Sequence, residues 1–445
     1  MTNRRLPLAA TLAAACSLGW CAVVVARASD ASPNVATAPA GLTEARRLAD
    51  AGNLDGALAV LRRTMSSPQR DVRRAAMLDA ARLHAQLGQA ADAEQLYREL
   101  LQGDPAADPD PQLVRTLHFE LGSLYRLHEN WDGACEHYRL AAVETPSAPA
   151  SDSTYEASYW LAFVDHRAGR IAAGRKRLQQ LLPRLSDANG DLASLRRREL
   201  QQYALYLSGQ LAIADSDWSA AAEALDELRA ARPGDPLLAQ AEFWRAEIAY
   251  RDGDDALARE LFAQVALRTA GLDEPWTALA PLRLAQLEAA RQRWDETKLA
   301  LDWLQWRWPE FPLAYEVDYL RGRTHAGLGE FPAARAAYRR VVANSAAAGT
   351  ETAAMAQWMI GETYFHQRVY AEARAAYQRV IDEHAQPEWQ ARAALQLGKC
   401  FELDGRWQDA AAVYIAAAER FADTASGSTL AARRQFVDRQ IAALR

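Results

Sequence analysis

The feature that most constrains this chain is a four-column pattern that recurs ten times with a mean spacing of about 39 residues, the signature of a repeat array. The first column holds a small residue: Ala45, Ala81, Gly122, Ala162, Gly209, Ala246, Ala285, Gly322, Gly361 and Gly398. Three residues earlier stands a leucine or an aromatic, from Leu42 and Leu78 through Tyr206 and Phe243 to Trp358 and Leu395. A second small column follows at Ala57, Ala93, Ala134, Gly174, Ala221, Ala258, Thr297, Ala334, Ala373 and Ala410. Four residues after each comes Leu61, Tyr97, Tyr138, Leu178, Leu225, Phe262, Leu301, Tyr338, Tyr377 or Tyr414. Offsets of three and four keep such residues on one helical stripe. The pattern describes a helical hairpin that cannot bury its own apolar face. Small residues let the two helices approach closely, and the bulky columns fill the gap and reach the next hairpin.

Turn chemistry fits this frame. Gly52-Asn53, Gly88, Glu129-Asn130, Gly169, Asp252-Gly253, Gly329 and Gly405 stand between the helices of their units. Pro105, Pro146, Pro233 and Pro309 fall where second helices should stop. Val and Ile together number only 24, which argues against a large sheet. The segment Ser186 to Asp191 reads as an exposed loop in the widest gap between units.

The frame Trp358-x-x-Gly361-x-x-Tyr364 with Tyr370-x-x-Ala373-x-x-x-Tyr377 resembles the tetratricopeptide repeat, as do its neighbours around Gly322 and Gly398. The resemblance covers Leu42 to about Thr424. It implies an all-α, right-handed α-superhelical solenoid of about ten helix–turn–helix units that binds peptides or partner helices. The spacing exceeds the repeat's usual 34 residues, so helices or loops are longer. Residues 425–445 are expected to form a capping helix, from about Leu430 to Leu444. The Ala-rich, exported character is similar to the bacterial periplasmic branch of the family, which includes the Tol–Pal-associated cell-division coordinator and a lipoprotein of the barrel-assembly machine.

Export is read from the amino terminus. Arg4 and Arg5 precede an apolar run from Leu6 to Ala26, and Ala26-Arg27-Ala28 is a small-x-small cleavage site. Residues 1–28 are therefore expected to be a signal peptide, with an uncleaved anchor as the other reading, and 29–41 a flexible linker. Cleavage would take the net charge from -6 to -9, because it removes Arg4, Arg5 and Arg27. Such a balance argues against nucleic-acid binding. Of four cysteines, Cys135 and Cys400 would remain, too few for a disulfide-held domain.

No phosphate-binding loop, nucleophile elbow or HExxH motif occurs, so no enzyme activity, cofactor or metal is expected. His118, His128, Cys135 and His137 cluster in unit three, but Cys135 and His137 are two apart on one helix and would face differently. They read as ordinary helix histidines. Glu362 and His366 read as a solvated i,i+4 contact. The aromatic run Trp303, Trp306, Trp308, Phe311, Tyr315 and Tyr319 reads as a packed corner between units seven and eight, its alternative an exposed anchor surface. Arg196 to Arg198 and Arg433-Arg434 read as solvated helix faces.

The expected function is a non-catalytic scaffold of the cell envelope, periplasmic or envelope-associated, that binds other envelope proteins. Its partner-binding candidates lie one, four or five residues after the first-helix small residue: Arg126, His166, Arg167, Tyr250, Arg251, Arg323, Glu362, Phe365, His366 and Lys399. The alternative is an accessory subunit of envelope or peptidoglycan assembly that binds glycan or a glycan-synthesis enzyme. Membrane contact is expected only through an uncleaved amino terminus.

Overall fold

The computed structural model describes residues 39–103, 110–145, 150–186, 192–231, 236–272 and 274–443. The expected signal peptide, most of the expected linker and residues 187–191 of the expected loop lie outside these. The described chain forms ten helical hairpins: α1 (Ala40–Asp50) with α2 (Leu54–Thr64), α3 (Arg70–Gln86) with α4 (Ala90–Gln102), α5 (Pro111–Leu127) with α6 (Trp131–Ala141), α7 (Asp152–Arg167) with α8 (Ile171–Ser186), and α9 (Leu192–Ala214) with α10 (Trp218–Ala231). Then follow α11 (Pro236–Asp252) with α12 (Asp255–Arg268), α13 (Leu279–Ala290) with α14 (Trp294–Arg307), α15 (Ala314–Gly327) with α16 (Phe331–Ala343), α17 (Glu351–His366) with α18 (Tyr370–Glu383), and α19 (Pro387–Leu403) with α20 (Trp407–Arg420). A last helix, α21 (Gly427–Ala443), begins three residues before the expected Leu430 and buries Leu430 and Val437 against α19 and α20. The chain divides into two compact units, one ending at Ile248 and one starting at Ala249.

One turn is used ten times. Seven residues after each first-column residue the backbone enters the left-handed region, with φ from 56° at Glu129 to 87° at Gly253. Six of these positions are glycine and four are Glu129, Ser216, Gln292 and Arg368. The following residue starts the second helix. Where it is Asn or Asp, its side chain caps a free backbone N–H: Asn53 accepts from Gly56 at 3.0 Å, Asn130 from Gly133 at 3.1 Å and Asp254 from Leu257 at 3.0 Å. Ser216, Gln292 and Arg368 carry no glycine signal, so the sequence reading missed those three turns.

Three of the four columns are buried, while the leucine or aromatic of the first helix is half-buried at Leu78, Phe119, Tyr159, Tyr319, Trp358 and Leu395. Ala57, Ala93, Ala134, Ala221, Ala258, Thr297, Ala334, Ala373 and Ala410 lose all exposure, and so do Tyr138, Tyr338, Tyr377 and Tyr414. The reason for the small residues needs correcting, however. The sequence pattern predicts that the small residues bring the two helices close together, with the bulky columns beside them. Instead, a Cβ on Gly361 would lie 2.5 Å from the Tyr377 ring, and Cβ atoms on Gly122, Gly322 and Gly398 would strike Tyr138, Tyr338 and Tyr414 in the same way. The glycine is a notch for a ring. Leucine packs in one cluster with alanine in the pairs Ala45/Leu61 and Ala162/Leu178, and the same columns hold Ala246 with Phe262 and Ala285 with Leu301 along the sequence. Only Ala81/Tyr97 and Gly209/Leu225 break this matching of notch to bulk. Close backbone approach does occur in unit four, where a Cβ on Gly174 would lie 3.2 Å from the Ala162 carbonyl oxygen.

First helices also pack on one another across units: α5 on α7, α7 on α9, α13 on α15, α15 on α17 and α17 on α19. No pair of second helices packs to that extent among the described residues. The first helices therefore line the tighter side of each stack, as in an all-α superhelical solenoid.

Candidate functional site

The first-helix face carries the residues expected to meet a partner, and the structure sorts them into two groups. Arg167, Arg251 and His366 are exposed, while His166, Tyr250, Arg323, Phe365 and Lys399 are half-buried. Arg126 and Glu362 are only 6% and 7% exposed and are held by internal partners. The Arg126 Nε donates to the Tyr138 hydroxyl at 3.2 Å, and its guanidinium lies 4.0 Å over the Trp160 ring of the next unit. Glu362 accepts from the Tyr377 hydroxyl at 2.6 Å and from Gln396 Nε2, one unit on, at 2.7 Å. It turns to these groups and not to His366, so the expected i,i+4 contact does not form.

Both residues act as struts, and the notched tyrosines explain why. A ring seated in a first-helix glycine pushes its hydroxyl through to the polar side of that helix, where a buried O–H requires a partner. Tyr138 meets Ser123 and Arg126, Tyr377 meets Glu362, and Tyr414 donates to Glu402 at 2.5 Å. Tyr338 alone has a buried hydroxyl without a partner. Buried polar residues that the sequence reading passed over do similar work. Glu316 accepts from Thr352 Oγ1 at 2.6 Å between units eight and nine, and burial pushes its carboxyl above the usual carboxylate range. Gln357 Nε2 donates to the Ala376 carbonyl at 3.0 Å.

The histidines of unit three do not converge as a cluster. His118 and His137 share one hydrogen bond, Nδ1 to Nδ1 at 2.9 Å, and stack with centroids 5.2 Å apart. Burial lowers the pKa of both. Cys135 is buried in the core, His128 caps the end of α5, and Arg139 donates to the Cys135 sulfur at 3.6 Å. Among the described residues no group of three or more His, Cys, Asp or Glu side chains is arranged to hold a metal.

The aromatic run is split, which corrects the packed-corner reading. Trp308, Phe311 and Tyr315 are buried, but Trp303 and Trp306 are 44% and 76% exposed. On α14 the stripe Thr297, Leu301, Leu304 faces the core, so Leu299, Trp303 and Trp306 fall on the opposite, solvent side. Among the described residues no helix is long and apolar enough to cross a membrane.

Comparison with known proteins agrees with this architecture. A model of the tetratricopeptide repeat-like domain matches residues 193–355, and a model of the tetratricopeptide repeat matches 42–111 and 359–425. Units three and four fall between these stretches yet fold as the same hairpins. Comparison with curated proteins gave no significant match. Among solved structures, the apo form of RapI superposes with a TM-score of 0.56 at 11% identity, covering 77% of this chain and 96% of that one. A tetratricopeptide repeat protein from Parabacteroides merdae ATCC 43184 covers 64% of this chain and 97% of its own, at 16% identity and a TM-score of 0.40. The Cut9–Hcn1 hetero-tetramer of the APC/C covers 88% and 89%, at 12% identity and a TM-score of 0.40. The last two add nothing to the fold assignment at that level of superposition. Repeats of this family bind protein partners and are generally non-catalytic. With three of the four columns buried, the turn repeated and most of the array matched, this chain is a member of the tetratricopeptide repeat family and a protein-interaction scaffold.

Proposed function

We propose that the protein is exported and works in the cell envelope, where its first-helix face holds an extended peptide or a helix of an envelope protein. The observation that carries the binding mode lies in the unit starting at Ala249: α13, α15, α17 and α19 stack on one another in turn, and the first helices of that unit carry exposed Arg251 and His366 with half-buried Tyr250, Arg323, Phe365 and Lys399. Aromatic and arginine side chains of this kind are the residues that dominate binding energy at interfaces. The export reading rests on the Arg4-Arg5 start, the apolar run and the Ala26-Arg27-Ala28 site.

Two measurements test these readings separately. A mature amino terminus near Ser29 in the envelope fraction supports export, and one at Met1 overturns cleavage. A photo-crosslinker at His366 or Arg251 should give a discrete protein adduct that is lost when Arg323 and Lys399 are changed to Glu. A crosslinker on the exposed α14 face that gave the same adduct would place binding elsewhere.

A further inference from the structure

Away from the first-helix face, units three and four form a half-open cleft of about 280 Å³ between α6 and α8, floored by α7. Three arginines reach into it: Arg139 from α6, and Arg177 and Arg184 from α8. Glu144 is the one acid that lines it. On a chain with net charge -6, this is a local reversal of sign. The arginines are not equally engaged. Arg177 Nε donates to Asp165 at 2.7 Å, and Asp165, 1% exposed, is also held by Arg170 at 2.7 Å. Arg184 pairs with Glu144 at 2.7 Å, but both side chains are more than a third exposed, so that pair is worth little. Arg139 has no carboxylate partner among the described residues; its one hydrogen bond goes to the Cys135 sulfur at 3.6 Å. The floor is apolar, with Leu161 and Leu181 buried.

We propose that this cleft is a binding site for a compact multivalent anion, a phosphate- or carboxylate-bearing small molecule, gripped by Arg139 and Arg184 with Glu144 as a competing internal anion. Guanidinium forks match such oxygens with paired hydrogen bonds. The volume lies just below the usual range for drug-sized ligands, about 300–1,000 Å³, and so suits an ion or small metabolite. The site goes beyond the scaffold reading and does not depend on it, since it lies on the second-helix side.

The test is calorimetric titration of the full mature chain with inorganic pyrophosphate and with citrate, at fixed ionic strength. Saturable binding of either probe supports the site; pyrophosphate alone assigns phosphate chemistry, and citrate alone assigns carboxylate chemistry. Arg139→Gln and Arg184→Gln should each weaken binding about tenfold, the loss expected of one charge-assisted contact. Glu144→Gln should tighten it several-fold, because the internal competitor is gone, and it cannot do so by unfolding the protein. Arg420→Gln, an exposed position at the end of α20, should change nothing. Absence of binding up to about 10 mM, a free energy of under about 3 kcal/mol, overturns the proposal. So does a loss in Arg420→Gln equal to that in Arg139→Gln, or weaker binding in Glu144→Gln.

Discussion

Hairpins one and nine solve the same packing problem with different residues. In α17–α18, Gly361 leaves a notch, the Tyr377 ring fills it, and the hydroxyl emerges to bind Glu362. In α1–α2, Ala45 keeps its methyl and Leu61 packs over it, with no polar group to satisfy. The leucine solution is self-contained. The tyrosine solution links the interior of a hairpin to the polar side of its first helix and, through Gln396, to the next unit. Tyrosine over glycine therefore adds a buried hydrogen bond between neighbours, whereas hairpin one is tied to the next by apolar contact and the partly exposed Arg46–Asp79 pair at 3.3 Å.

Forcing the two solutions to collide gives the largest effect. Gly361→Leu places carbon atoms inside the Tyr377 ring and should cost about 3 kcal/mol, the upper end of overpacking. Hydrogen exchange by segment should show lost protection between about Tyr319 and Phe421, with Leu42 to Tyr138 unchanged, because each unit rests only on its neighbours. Uniform loss along the whole chain would mean one cooperative globule and no array.

Exchanging one solution for the other is milder. Gly361→Ala alone should cost about 1–3 kcal/mol, and Tyr377→Leu alone about 2–4 kcal/mol through the space and the hydrogen bond it removes. The double variant recreates the Ala45/Leu61 pair, so chemical denaturation should give a double-mutant coupling of at least about 1 kcal/mol in favour of the pair. Strict additivity would dismiss the matching of notch to bulk.

Smaller again is the hydroxyl itself. Tyr377→Phe deprives Glu362 of a partner and should cost about 1.5–3 kcal/mol, the range for hydrogen bonds to charged groups. Tyr338→Phe removes a buried hydroxyl that has no partner and should be neutral or stabilising. Equal losses in the two variants would mean that Glu362 contributes nothing.

The smallest effect separates the two compact units by pH. His118, His137 and His166 in the first unit have pKa values lowered chiefly by burial, against His384 alone in the second. A lowered histidine pKa means the folded state binds fewer protons than the unfolded one. Its stabilisation is thus complete above the ordinary histidine value of about 6.5 and fades as pH falls through it toward the folded value. The half-buried Glu156, its carboxyl raised by desolvation, opposes this at lower pH in the first unit, as buried Glu316 does in the second. Segment-resolved exchange between neutral and mildly acid pH should show residues before Ile248 weakening first.

The columns made the hairpins legible because a 39-residue rhythm of small and bulky residues has few other physical readings. Gly52, Gly88 and Gly329 marked their turns by composition, whereas Arg368 holds the same backbone shape with no signature at all. The inner face was half legible. Counting from the small column found Arg167, Arg251 and His366 on the surface, but placed Arg126 and Glu362 there too. Their fate was set by the tyrosine hydroxyls beneath them, which a linear reading does not connect to positions on another helix. Trp306 was misplaced for a related reason: a run of aromatics looks like one cluster until the helix phase divides it between two sides.

The ten left-handed turns carry one more consequence, for how the array can be improved. Glu129, Ser216, Gln292 and Arg368 hold a conformation that suits glycine, each at a strain of roughly 1 kcal/mol relative to it. These four sit in four separate hairpins, so their effects should sum when all are changed to glycine. A strained turn in a modular stack troubles only its own module. The same modularity makes the chain a stepwise engineering substrate, in which heat resistance can be raised turn by turn without touching the residues of the first-helix face or the arginines of the cleft.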